Sequence, residues 1–129
     1  MTDPIRPDLY QALLAKHGDR MPAESEVFLR PGWLSLVDRL LTDIAREYPD
    51  ARILALTAAG WLHIDYSLPT NGDHDWTRHV KFDRWLQRYI TESLCTCECC
   101  GSHHGRDRLN RSVMCEECQN TKESSDAHA

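Results

Sequence analysis

The sequence has no long apolar run, no basic surplus and no cysteine outside one short stretch. Its apolar runs fall far short of the roughly 18 residues that a membrane-spanning helix needs, and the opening MTDPIRPDLY has no apolar core of a signal peptide. We therefore expect a cytoplasmic protein with no membrane partner. A length of 129 residues suits one compact domain with, at most, a small metal-held appendage.

Acidic residues outnumber basic residues. The chain has 20 Asp and Glu against 15 Lys and Arg, a formal net charge of −5. Proteins that hold nucleic acid by neutralising its phosphates usually have the opposite balance. The charge therefore disfavours a nucleic-acid partner, and it identifies no other partner.

All six cysteines lie between Cys95 and Cys118. A disulfide framework normally distributes its cysteines over the whole domain, and the cytoplasm keeps thiols reduced. Clustered cysteines in such a compartment favour metal binding.

The first half of the chain contains two helix signals. Pro7 can open a short helix that Gly18 closes, and the punctuated stretch 19–32 predicts a loop. A stronger helix is predicted over residues 33–48, ended by Pro49. Its apolar residues recur every three or four positions, as on one helical face: Leu34, Val37, Leu41, Ile44 and Tyr48.

Two short β segments and a long helix follow. Residues 52–57 and 61–66 flank a small turn that contains Gly60, which predicts an antiparallel hairpin. A lone hairpin is marginal in water, so it must pack on the helices. The last helix is predicted from Asp73 or Asp75 to about Leu94, with a wide apolar face. We expect an α+β fold of helices packed on a β-hairpin, with a C-terminal zinc-ribbon-like knuckle module.

Two Cys-x-x-Cys pairs, separated by fourteen residues, have the spacing of zinc knuckles. A tight turn brings two sulfurs with two residues between them to one ion, at Zn–S distances of about 2.3 Å. Gly101 follows the first pair, where the turn requires a positive φ. The predicted ligands of one structural Zn²⁺ are Cys97, Cys100, Cys115 and Cys118.

The ligand set leaves alternatives. His103 or His104 could replace one cysteine, as in three-Cys one-His sites. Cys95 and Cys99 are expected to be free thiols, because a single intervening residue is too tight for the usual knuckle. The spacing of the cysteines also does not distinguish a zinc site from an iron site.

Catalytic interpretations fit less well. A thioredoxin-type Cys-x-x-Cys follows a strand at a helix N-terminus, whereas this cluster follows a helix and is duplicated. The His103-His104 pair and Asn110 invite comparison with His-Asn-His nucleases, but fourteen residues cannot hold the hairpin and helix that such enzymes need between their knuckles. Since four thiolates leave zinc no open position, the metal is expected to be structural and the protein not an enzyme.

The loop between the two pairs is basic. Three arginines, Arg106, Arg108 and Arg111, stand against Asp107 alone. They either offset the −2 charge of zinc with four thiolates or form a rigid basic tip that meets a carboxylate or phosphate. The four tryptophans are expected to be core residues rather than a base-stacking platform.

The predicted organisation has three parts. A helical and hairpin body covers residues 1–94, and the four-cysteine zinc module covers 95–118. The remainder, 119–129, has no large apolar residue to anchor it, which predicts a disordered tail.

The stretches PGWLSLVDRLLTDI, ARILALTAAGWLHIDY and SLCTCECCG...MCEEC, in this order, resemble a family of small uncharacterised proteins encoded by phages and prophages. The resemblance covers about residues 30–118 and supports the same four cysteines as ligands. The added Cys95 and Cys99 and the His-His pair depart from the family pattern, whose second knuckle is often Cys-x-x-His. The family brings no established activity.

The resemblance implies an accessory protein of a mobile element that acts in the host cytoplasm. We expect stoichiometric binding to a host or phage protein complex, with inhibition of a host defence complex, as by an anti-CRISPR, as one form of it. The alternatives are a small nucleic-acid-binding module that uses the three arginines and Lys122, and a metal-dependent nuclease.

Overall fold

A computed structural model of the chain describes residues 4–69, 75–108 and 112–120. The predictions that concern Asp73, Asn110, Arg111, Lys122 and the tail from residue 121 onward lie outside these ranges. No helix within them combines the length and apolarity needed to cross a bilayer.

The first helix, α1 (Pro7–His17), begins and ends where the sequence predicts. Gly18 follows it with φ +56° and donates its N–H to the Leu14 carbonyl. Tyr10 is buried and donates its hydroxyl hydrogen to the Pro22 carbonyl, 2.7 Å away. This bond ties the helix to the segment after it.

Helix α2 (Leu34–Glu47) is the amphipathic helix predicted from the leucine spacing. A short 3₁₀ turn, Pro31–Trp33, leads into it. Its buried stripe follows the three- and four-residue period and lies against the sheet and the other helices: Leu36, Val37, Leu40, Leu41 and Ile44.

The sheet has one more strand than predicted. Strands β2 (Arg52–Ala58) and β3 (Leu62–Ser67) form the expected antiparallel hairpin. Strand β1 (Val27–Phe28), within the segment predicted as a loop, pairs in parallel with β2 and gives the order β1-β2-β3. The opposite edge of β1 is also hydrogen-bonded, because the Val27 carbonyl accepts the N–H of Ile5 from the N-terminal segment.

Helix α3 (Asp75–Ser93) crosses close to the hairpin and completes the core. Phe82, Leu86 and Tyr89 form a buried stripe along one face of this helix. About one turn earlier on the same stripe, the ring of His79 contacts Tyr66. Trp76 and Val80 do not lie on this stripe and are exposed, so the predicted wide apolar face is wrong at the start of the helix. The arrangement of helices on a sheet confirms the α+β fold class.

The tryptophans do not share one environment. Trp33 is fully buried, but Trp76 is 70% exposed and Trp61 is 44% exposed, stacked on His63 beside the hairpin turn. The prediction that the tryptophans are core residues is wrong for these two. Trp61 lies in the turn itself, where neither face of the sheet covers it.

Candidate metal centre

The first knuckle begins at Cys97, four residues after the end of α3 at Ser93. The N–H of Cys97 donates to the Ser102 carbonyl, and the Cys97 carbonyl accepts the N–H of Gly101, both at 2.9 Å. These two bonds close a tight turn around Cys100. Gly101 has φ +78°, the conformation that the sequence predicted for it.

The second knuckle joins a two-stranded ribbon to a short helix. Strands β4 (Arg106–Asp107) and β5 (Val113–Met114) pair antiparallel. Cys115 follows β5, and Cys118 lies in a helical turn over residues 116–120. This helix includes residues 119 and 120, which the sequence predicted as the start of the disordered tail.

The four predicted ligands converge. The Sγ atoms of Cys97, Cys100, Cys115 and Cys118 all lie within 4.8 Å of one another. The Cys100 and Cys115 sulfurs are 3.7 Å apart, close to the roughly 3.8 Å edge of a sulfur tetrahedron with Zn–S distances of about 2.3 Å. The group can therefore bind a metal ion. The part of the chain that the structure describes holds no second group of this kind.

The other candidate ligands stay outside this group. His103 and His104 are exposed and line two different clefts. Cys95 and Cys99 are exposed thiols, and all six cysteines are unpaired by disulfides. Arg30 reaches the Cys99 sulfur at 4.0 Å.

The sulfurs differ in how readily they lose a proton. The neighbouring Ser102, through its hydroxyl and then its backbone N–H, lowers the pKa of Cys100 to about 6. The backbone N–H of Cys118 lowers the pKa of Cys115. Burial, followed by the neighbouring sulfurs, raises the pKa of the Cys118 thiol. Crowded thiolates repel one another, and a bound cation removes that repulsion.

The cysteine-bearing segment, described over residues 95–108 and 112–120 and called the metal-binding segment, is attached to the body through Gly32 and Trp33. The N–H of Gly32 donates to the Glu98 carbonyl at 2.6 Å, and Trp33 Nε1 donates to the Thr96 carbonyl at 2.7 Å. A Cβ at position 32 would lie 2.5 Å from the Glu98 carbonyl oxygen and closer still to that of Cys97. Only glycine permits this approach. The sequence predicted a loop at Gly32 and the start of a helix at Trp33, and it did not predict this contact.

A buried carboxylate strengthens the attachment. Glu98 is only 3% exposed, and its Oε1 accepts the N–H of Val113 at 3.0 Å while its own N–H donates to the Val113 carbonyl. Its Oε2 lies 3.6 Å from Arg30 Nε of the body. Glu98 thus connects both knuckles and the body. Sequence reasoning missed it, because a Glu between cysteines resembles any exposed loop residue.

Two of the three predicted arginines border one cleft. His104, Arg106 and Arg108 line it from the ribbon side, and Glu116, Gln119 and Asn120 line it from the helix. Its volume is about 570 Å³. The ribbon therefore places these side chains along one side of the cleft.

No protein-family model, no curated protein and no solved structure matches the chain. Fold and function must therefore be argued from the molecule itself.

Proposed function

We propose that the four cysteines bind one structural Zn²⁺. The observation that carries this proposal is the convergence of the four sulfurs within 4.8 Å. Thiolates select soft or borderline metals, and zinc accepts four of them in a closed tetrahedron. A closed site leaves no position for water or substrate, so the ion stabilises the fold instead of catalysing a reaction.

We further propose that the protein is not an enzyme and acts by stoichiometric binding to another protein. Support comes from the closed coordination and from the tight attachment of the metal-binding segment to the body. Such an attachment gives a rigid surface, which lowers the entropic cost of binding. The sequence resemblance to phage and prophage proteins suggests a host complex as the partner, and inhibition of a host defence complex as the consequence.

Metal analysis of the purified chain tests the zinc proposal. We expect one zinc per chain, retained through gel filtration and lost in Cys97→Ala. Cys95→Ala is the matched control, because Cys95 is an exposed thiol outside the four-sulfur group. Iron in place of zinc, or zinc that survives Cys97→Ala, would refute this assignment.

Affinity capture tests the binding proposal. Tagged wild type and tagged Cys97→Ala are each incubated with bacterial lysate, and recovered proteins are quantified by mass spectrometry. We expect a partner in one-to-one ratio with wild type that is depleted with the variant. If no protein reaches a stoichiometric ratio, or if the purified chain cleaves DNA in a chelator-sensitive way, the proposal fails.

A further inference from the structure

We infer that the cleft between the β4-β5 ribbon and helix 116–120, the ribbon cleft, binds an acidic segment of a partner protein through its side-chain carboxylates. This inference rests on the proposed function, since it names the chemistry of the bound partner. It is carried by the placement of Arg106, Arg108 and His104 around one cleft.

The backbone places both guanidinium groups on the same side. Successive side chains of a strand alternate, so positions 106 and 108 share a face. The ribbon continues past β4, because the N–H of Arg108 donates to the Ser112 carbonyl at 2.7 Å. Strand geometry therefore presents the guanidinium groups of Arg106 and Arg108 on the same face of the ribbon. The opposite strand, β5, leads directly into Cys115 of the four-sulfur group.

The two arginines differ in what holds them. Arg108 Nε donates to the Met114 carbonyl at 3.2 Å, which restrains the guanidinium beside the cleft. Arg106 is exposed and makes no ion pair with any residue that the structure describes. A restrained guanidinium beside an unpaired one suits carboxylates, which accept two parallel N–H bonds from each.

The remaining lining sets the selectivity. Among the described lining residues, Arg106 and Arg108 contribute two positive charges and Glu116 one negative charge, a sum of +1 (2 − 1). Asn120 offers an amide that can pair with a peptide backbone. The chemistry therefore matches a peptide with a few carboxylates better than a free inorganic anion.

Nucleic acid fits this cleft less well. Salt-dependent nucleic-acid binding draws on many phosphate contacts, about 6–10 in a strong case, whereas the described lining of the cleft offers two arginines in a chain of net charge −5. Platforms for single strands also use aromatic side chains on which bases stack. No Phe, Tyr or Trp is among the residues that line the cleft.

The test is a titration of the zinc-loaded full chain with end-blocked hexaglutamate, followed by ¹⁵N NMR. We expect saturable shifts at Arg106, Arg108 and His104. Arg106→Gln and Arg108→Gln should each weaken binding about five- to tenfold. Arg52→Gln, an exposed arginine of β2, removes the same charge and should leave affinity unchanged.

Several outcomes would overturn the inference. These outcomes are equal binding of hexalysine, tighter binding of a single-stranded DNA oligonucleotide, or a loss of affinity in Arg52→Gln as large as that in Arg106→Gln. Loss of zinc in Arg106→Gln and Arg108→Gln would instead assign the arginines to offsetting the thiolates, and would also overturn it. If the wild-type chain binds zinc but hexaglutamate shifts none of its ¹⁵N NMR signals, this inference alone is refuted. If the wild-type chain binds no zinc, the proposed function is refuted.

Discussion

The body buries a continuous apolar core that extends from Ile5 to Tyr89, whereas the described residues of the metal-binding segment form a small separate cluster of Cys97, Met114 and Cys115, with Cys118 packed against it. The body's core includes the fully buried Trp33 and Phe82 and one stripe of α2. Three of the four side chains in the second cluster are the candidate metal ligands themselves.

This difference is the physical basis of the proposed metal site. Roughly 25 residues cannot bury enough apolar surface to offset the loss of chain entropy. In the proposed zinc-bound state, metal coordination supplies the missing free energy. Among the described residues of the segment, Val113 belongs to the main core of the body. The two regions therefore differ in what stabilises them and share a contact surface.

The largest expected effect comes from breaking the site itself. Cys115→Ala removes one ligand and with it most of a metal-binding free energy that is about 10–16 kcal/mol in zinc-finger peptides at neutral pH. The segment should lose its ordered amide signals while α2 and β2 keep theirs. The measurement is ¹⁵N NMR in the presence of zinc. Cys99→Ala serves as the control, and an ordered segment in Cys115→Ala would contradict the comparison.

A second substitution separates the two regions without touching a sulfur. Gly32→Ala places a methyl group against the carbonyls of Cys97 and Glu98, which should destabilise the protein by about 3 kcal/mol or more, because backbone cannot move aside cheaply. Urea denaturation measures the free energy of unfolding.

Gly18→Ala is the matched control for this substitution. Gly18 has φ +56° but open space around the added Cβ, so only backbone strain of about 1–2 kcal/mol is expected. Equal decreases in the free energy of unfolding in the two variants would show that the close packing at Gly32 makes no contribution to stability beyond backbone strain.

A third substitution removes one bond between the regions. Trp33→Phe keeps the buried ring but leaves the Thr96 carbonyl without its indole N–H, at a cost of about 1–3 kcal/mol. We expect zinc to be retained and hydrogen exchange near Thr96 to accelerate. Unchanged stability would mean that this bond does not couple the segment to the body.

The smallest effect concerns the body alone. Lys16, and then His17, lower the pKa of Asp38 below its usual 3.8. A lowered carboxyl pKa adds stability that is present above the unfolded value and lost as pH falls through the folded value. Asp38→Asn should therefore cost about 0.5 kcal/mol near pH 6, since the pair is partly exposed, and nothing once wild-type Asp38 is protonated.

Urea denaturation of both chains at each pH measures that difference. Both chains lose bound metal together on acidification, so the difference between them reports the carboxylate. A difference that grows as the pH falls would contradict the assignment.

Local patterns predicted much of this fold. The spacing of Leu34, Val37 and Leu41 gave α2, the alternation around Gly60 gave the hairpin, and the two Cys-x-x-Cys spacings selected the four sulfurs that the structure brings together. Each of these signals lies within a few residues, because helical period, strand period and knuckle geometry are local properties of the backbone.

Long-range partners had no such signal. The parallel pairing of Val27 with Leu56, the bond from Trp33 to Thr96 and the burial of Glu98 all depend on residues far apart in the chain. Trp76 also shows that an apolar residue in a helix is buried only where a neighbour covers it. These features follow from tertiary packing and not from sequence period.

Hydrogen exchange with and without a zinc chelator tests the central claim most directly. The account predicts that chelation removes protection from residues 95–108 and 112–120, while α2 and the β2-β3 hairpin keep the protection that their apolar core provides. Protection of the cysteine-bearing segment that survives complete removal of metal would contradict it.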